Sequence, residues 1–250
     1  MYHLAAYYQS VDPAASLKQI NAVPDQAIFT SGADVRVPTG LANLIGEAAL
    51  SAATTPLYGQ VQSPTLRDLA NQDIEPISTS AKFTSYDQMQ WHGDSPRDLT
   101  EAESVNFAIY ATGGAAAVNY GLIFLGDGAV KPTTGKIFSV RATGSASLSA
   151  GAWINTALDF NSTLPSGTYQ VVGMRAEGTN LVAARIVFIG GQFRPGVPAT
   201  SATNLALFPW FRVGRAGVFG SFDVNQPPTI DCLGVTDTSQ EFVFDLIKTK

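Results

Sequence analysis

His92 has the most chemistry around it. It lies in Gln90-Trp91-His92-Gly93-Asp94-Ser95-Pro96-Arg97-Asp98, a histidine among two carboxylates and a hydroxyl. Those types make a hydrolytic triad only when separate elements bring them together, because nucleophile, base and orienting carboxylate need converging directions. Neighbours along one stretch do not converge, so the segment reads as a polar loop. Asp94 and Asp98, four residues apart, lack the D-x-D-x-D-G pattern of a calcium loop. Gly144-Ser145-Ala146-Ser147 lacks the closing glycine of G-x-S-x-G. Gly126-Asp127-Gly128-Ala129-Val130-Lys131 is glycine-rich with a lysine, but Pro132 follows and the phosphate-loop spacing is absent, so it reads as a turn. Acids scattered from Glu101 to Asp245 could supply the paired carboxylates of glycoside hydrolysis, yet most fall in turns, where Asp serves the backbone. Trp91, Trp153 and Trp210 would suit a sugar platform, although core packing is the commoner use of Trp. His3 lies at a terminus, and Cys232 reads as a buried inert thiol within a strand. No catalytic, metal-binding or cofactor-binding residue is assigned.

The arginines remain. Arg175, Arg185, Arg194, Arg212 and Arg215 occupy the last third of the chain, where the only lysines are Lys248 and Lys250. Arginine is favoured over lysine at protein interfaces and in bidentate pairs, so these five are the interface candidates. Composition points the same way. Charged residues make up 14% of the 250, against roughly 25% in an ordinary soluble domain. One Cys excludes an intramolecular disulfide framework and a Cys-rich zinc site, and two His leave little for a His-based metal centre. A net charge of −5 without a basic block argues against coating nucleic acid. No apolar run reaches a membrane span, and the start lacks a charged region followed by a long apolar one. The expectation is synthesis in the cytoplasm without export.

The elements that carry these residues divide in two. Asp12 and Pro13 predict a short helix over 12–20, with short strands at 26–30 and 34–37. Leu41, Leu44, Ile45, Ala48, Ala49 and Ala52 fall at helical spacing and predict a helix over 41–53. Its other face is small rather than charged, with Glu47 the only acid, so both faces are expected to be covered. Ser63-Pro64 opens a second expected helix through Leu66, Leu69, Ala70 and Ile74, stopped by Pro76. Further on the period becomes two. Strands are expected at 104–111, 120–125, 136–142, 152–158, 168–175, 181–189, 205–213, 218–222, 229–235 and 241–247, with a Gly/Asn hairpin turn at 176–180. The fold class is mainly β: a jelly-roll β-sandwich over 99–250, preceded by a mixed segment, 1–98, with one or two α-helices that packs on the barrel or on neighbours.

The run 164–175, the return strand 184–188 and the segments Phe193-Arg194-Pro195-Gly196, Phe211-Arg212-Val213-Gly214, Gly217-Val218-Phe219-Gly220-Ser221-Phe222 and Pro227-Pro228-Thr229 carry a resemblance. From about residue 100 onward the chain resembles the jelly-roll major capsid proteins of icosahedral tailless bacteriophages. The resemblance implies a non-catalytic subunit that self-assembles into a viral shell in the host cytoplasm and resides in the virion. It implies copies of the same chain as partners, as a trimer or hexamer-like capsomer, with room for other capsid proteins and for an internal membrane underneath. Residues 1–35 hold a single cation, Lys18, so no arm to neutralise nucleic acid is expected. A second jelly roll would be cramped, because the first hundred residues read as lacking a second set of strands. The competing function is a carbohydrate-binding or adhesion β-sandwich, as in a phage fibre or surface protein; a cupin enzyme would need more histidines.

Overall fold

The computed structural model describes residues 1–53, 55–68, 73–75, 77–78, 80, 82–83, 89–113, 115–200 and 209–250. They form two compact units: Leu4–Ala129, and Val130–Lys250 together with Met1–His3. The division falls at 129/130 rather than at the expected 98/99, because the strands after residue 99 pair back into the first unit.

The amino-terminal unit runs β1 (Tyr2–Val11), β2 (Ser16–Ala22), β3 (Thr30–Ser31), β4 (Asp34–Arg36), β5 (Asn43–Ser51), β6 (Pro56–Gln62), α1 (Pro64–Asp68), β7 (Asp73–Glu75), β8 (Ile77–Ser78), β9 (Met89–Trp91), β10 (Arg97–Asp98), β11 (Ser104–Ala111) and β12 (Ala117–Gly126). One row of neighbours is β1–β12–β5–β9 and the other is β2–β11–β6–β7. They join where β1 meets β2 at Tyr7↔Ala22. Between the rows lies the core. The Phe107 ring of β11 meets the Tyr7 ring of β1 at a tilt, centroids 5.6 Å apart, and presses on the bare backbone of Gly121 in β12, where a Cβ would stand 2.5–2.7 Å from the ring.

The carboxy-terminal unit runs β13 (Phe138–Gly144), β14 (Ile154–Ala157), β15 (Asp159–Phe160), β16 (Thr168–Glu177), β17 (Leu181–Val187), β18 (Gly196–Thr200), a 3-10 turn (Pro209–Phe211), β19 (Gly220–Asp223), β20 (Thr229–Gly234) and β21 (Gln240–Lys248). Its rows are β13–β21–β16–β19 and β14–β20–β17–β18. A short parallel contact, Ala176↔Ala199, links them. Tyr169, Phe222, Phe160 and Phe244 form a chain of ring contacts, with centroids 5.8–6.0 Å apart.

The two units share one plan. Eight strands in chain order are β1, β2, β5, β6, β7, β9, β11, β12 in one and β13, β14, β16, β17, β18, β19, β20, β21 in the other. In both, the first pairs with the eighth, the eighth with the third and the third with the sixth; the second pairs with the seventh, the seventh with the fourth and the fourth with the fifth. The expectation that residues 1–98 lack a second strand set is overturned: among the described residues ten strands begin there.

The helical expectations fail for stated reasons. Residues 43–51 are a strand, and everything from Leu44 to Ser51 is buried. Its Asn43-to-Ser51 backbone pairs with β12. A strand covered on both faces shows no alternation, only a run of small and apolar residues, and such a run includes helical spacings by default. At 12–15, Asp12 accepts the Ala14 N–H at 2.9 Å, but Ala14 and Ala15 adopt φ of 51° and 56°. Two left-handed residues in succession reverse the chain, and β2 follows. At Ser63 the expected cap is present, its Oγ accepting the Leu66 N–H at 3.1 Å; the helix is described over Pro64–Asp68, and Ile74 lies in β7, paired with β6. Leu69, Ala70, Pro76 and 205–208 of the expected elements lie outside the described residues. The described end of the expected 205–213 strand is the 3-10 turn.

Two predictions follow from this pairing. Gly121→Ala drives a methyl into Phe107 and lowers stability by about 1–3 kcal/mol, read as the urea midpoint; a wild-type midpoint contradicts the packing. Deleting residues 1–25 removes two adjacent strands, β1 and β2, so the amino-terminal unit loses its protection against proteolysis; unchanged protection contradicts the strand order.

Candidate functional site

The interface candidates are placed as follows. Arg185, on β17, sits opposite Asp231 of β20 in the register. Its side chain is fully buried, its Nε donates to Asp231 Oδ2 at 3.0 Å, and its guanidinium lies 4.1 Å over the Trp153 ring. Arg194 Nη1 donates to the same oxygen at 2.6 Å, while Asn155 donates to Oδ1 at 2.8 Å. The Arg194 N–H donates to His3 Nδ1 at 3.1 Å, so that nitrogen carries no proton. A buried charge is tolerated only when paired and hydrogen-bonded, and Asp231 meets that condition from three directions. Arg175 pairs with Glu177 at 2.7 Å. Arg212 grips Asp245 with both ends of its fork, at 2.7 and 2.9 Å. Arg215 is exposed. Four of the five thus face carboxylates of their own unit.

Asp245 organises a further feature. Burial alone would raise its carboxyl, but hydrogen bonds from Arg212, the Val213 N–H and Ser139 outweigh burial and hold it below the ordinary 3.8. Val213 has φ 48°, a left-handed conformation costing a β-branched residue roughly 1–2 kcal/mol. It is held there by its N–H on Asp245 Oδ2, 2.7 Å, and by Gly214 donating to Val172 O at 2.8 Å. Its side chain is 51% exposed. Strain kept at an exposed apolar residue needs surroundings that over-determine it, and the Asp245 clamp supplies them.

The other sequence candidates resolve as structure. His92 Nε2 lies 2.8 Å from Glu47 Oε1, a carboxylate buried on β5 that comes from a distant strand rather than from Asp94 or Asp98. The 145–147 loop is tied by Gln240, whose amide accepts from Ala146 N at 2.8 Å and donates to Ala146 O at 3.0 Å. Cys232 is buried, and burial with the nearby Asp231 and Asp237 carboxylates pushes its thiol up, which suppresses the reactive thiolate. Trp91 packs edge-on against Phe124 at 6.0 Å, and Trp153 lies under Arg185.

One arrangement was missed in the sequence. On the outer face of β2–β11–β6 the register sets Leu17, Tyr110 and Tyr58 in one row and Gln19, Ala108 and Gln60 in the next, with Asn106 beside Gln62. Tyr58 and Tyr110 are parallel within 3°, centroids 5.3 Å apart. Gln19 donates to Gln62 at 3.1 Å and Gln62 to Gln60 at 2.7 Å. The amide end of this face adjoins a cleft of about 350 Å³ lined by Gln19, Gln62, Ser63, Pro64, Arg67, Ser104 and Asn106. The signal was the period-two run Tyr58-x-Gln60-x-Gln62, polar yet uncharged. Its three strands come from distant parts of the chain, so only the fold assembles it.

No family model matches the chain, and no curated protein matches it in sequence. A structural likeness exists. The crystal structure of the major capsid protein P2 from bacteriophage PM2 is similar over 99% of this chain and 97% of its own, with 8% identity and a TM-score of 0.28. At that score and identity the likeness fixes neither the finer fold nor the function.

Asp245→Asn keeps the shape and removes the charge. The expected loss near neutrality is about 2 kcal/mol, the scale of hydrogen bonds to a charged group. Because the folded carboxyl titrates below the ordinary value, its contribution is full above about pH 4 and is lost as pH falls through the lower folded value. Denaturant midpoints of the two proteins therefore converge on acidification, and a gap that stays constant contradicts the clamp.

Proposed function

We propose that this chain is a structural subunit of an icosahedral viral shell, non-catalytic, with each unit a jelly roll. The observation that carries the reading is the repetition of one eight-strand order in both units. First–eighth–third–sixth facing second–seventh–fourth–fifth is the wrapping of an antiparallel ribbon into a jelly roll, an architecture used by viral capsid and lectin domains. Two such units in one chain let three copies supply six like building blocks, which joins the trimer and the hexamer-like capsomer in one assembly.

Surface composition supports the same reading. Leu57, Ile189 and Val213 are each more than half exposed, and few charges keep one copy from another. Arg215, exposed beside the clamped Val213, is a candidate for contact with a neighbouring copy. Partners in this proposal are copies of the chain and other capsid proteins, in a virion assembled in the host cytoplasm, with no nucleic-acid arm and with room for an internal membrane beneath the shell.

Sedimentation velocity with light scattering on the full chain tests it. The expected species are multiples of 26.4 kDa, trimer or larger, at protein concentrations of about tens of micromolar, where weak association is populated. Arg215→Glu is expected to lower the assembled fraction several-fold without moving the thermal midpoint. A chain that stays monomeric under these conditions overturns the proposal.

A further inference from the structure

We propose that the outer face of β2–β11–β6, with its adjoining cleft, is a saccharide-binding site. The claim goes beyond shell formation and does not depend on it.

The hydrogen-bonding groups on this face have a chemical signature. The outward positions of β2, β11 and β6 carry three glutamines and an asparagine, and the one carboxylate against them, Asp34, is engaged by Asn106. A side-chain amide both donates and accepts. A sugar hydroxyl does the same, so an amide row can both donate to and accept from a line of hydroxyls, where carboxylates only accept and ammonium groups only donate. The row is also fixed in advance. Gln19 donates to Gln62 and Gln62 to Gln60, and Asn106 is held by the Ala33 carbonyl at 3.1 Å and Asp34 at 2.7 Å. Each glutamine uses part of its capacity in that chain: Gln60 accepts there through Oε1 and keeps both N–H groups, and Gln62 keeps one N–H and a lone pair. Amides ordered before binding lose less freedom when a ligand arrives.

An apolar platform lies beside the polar row. Tyr58 and Tyr110 are half-buried, parallel and next in register to Gln60 and Ala108. A pyranose ring presents a C–H face with hydroxyls at its edge, so it suits a ring face bordered by amides, and aromatic rings with one wet side are a common recognition surface. The cleft at the amide end, about 350 Å³, is at the small end of the usual range for ligand sites, enough for one or two sugar rings. Ser104 and the exposed Arg67 add donors at its rim.

The test uses the intact full-length chain and four soluble probes: mannobiose, cellobiose, lactose and chitobiose. Saturation-transfer NMR and calorimetry read binding. At least one probe is expected to bind, and Tyr110→Ala and Gln60→Ala should each weaken it about tenfold, which is 1.4 kcal/mol, with thermal midpoint and particle size unchanged. Tyr58→Phe, which keeps the ring, should retain most of the affinity. Absence of binding by all four probes overturns the proposal. So does binding that survives both alanine variants. A Tyr110→Ala effect on particle size alone would overturn it in favour of a contact between copies, while leaving the shell reading intact.

Discussion

Everything in this molecule depends on pairing strands that lie far apart in the chain. In each unit the third and eighth strands run antiparallel side by side: β5 with β12, from Asn43↔Gly126 to Ser51↔Asn119, and β16 with β21, from Tyr169↔Lys248 to Glu177↔Glu241. The chain between each pair must fold out and return before the pair can close. Closure on that scale costs loop entropy before any contact compensates, so the paired segments must bury much apolar surface when they meet. They do. Leu44 to Ser51 and Asn119 to Gly126 are buried without interruption, and their glycines and alanines let backbones and rings approach closely.

Burial of that extent leaves few places for charge, and the charges present are committed in detail. Asp231 receives two arginines and an amide, and Asp245 receives a bidentate arginine, a hydroxyl and a backbone N–H. These pairs do not add much stability over an apolar equivalent. Their effect is geometric. They fix the loop that carries Val213 and Arg215 and anchor the start of the chain at His3. Of the residues that look like interface arginines by composition, four face carboxylates of their own unit, and two of these, Arg194 and Arg212, hold loop segments in place.

The β character from Ser104 onward was legible because its strands alternate, as in Val140 and Ala142 facing in while Ser139 and Arg141 face out. The amino-terminal unit, as a β unit of its own, was not. Its central strands are covered on both faces, so Leu44, Ile45, Ala48 and Ala49 carry a helical spacing with no polar face to contradict it. Local signals were right about chemistry and wrong about extent: Asp12 does accept a backbone N–H but marks a turn, and Ser63 does cap a helix, but Ile74 lies in a strand rather than in that helix. The amide and tyrosine face was legible only in fragments, since Gln19, Gln60 and Asn106 meet through pairing and not through sequence. Glu47 was visible as the only acid of its segment, and its pairing with His92 was not, because the partner lies just past the end of another strand, β9.

Electron cryomicroscopy of assembled full-length protein tests most directly the claim that two like β units in one chain build a shell. The expected reconstruction is a closed particle in which every chain traces two eight-stranded β units with the same strand order, residues 43–51 running as a strand against 119–126. Particles whose chains hold one β unit and a helical arm, or a preparation that yields no closed particle, would contradict it.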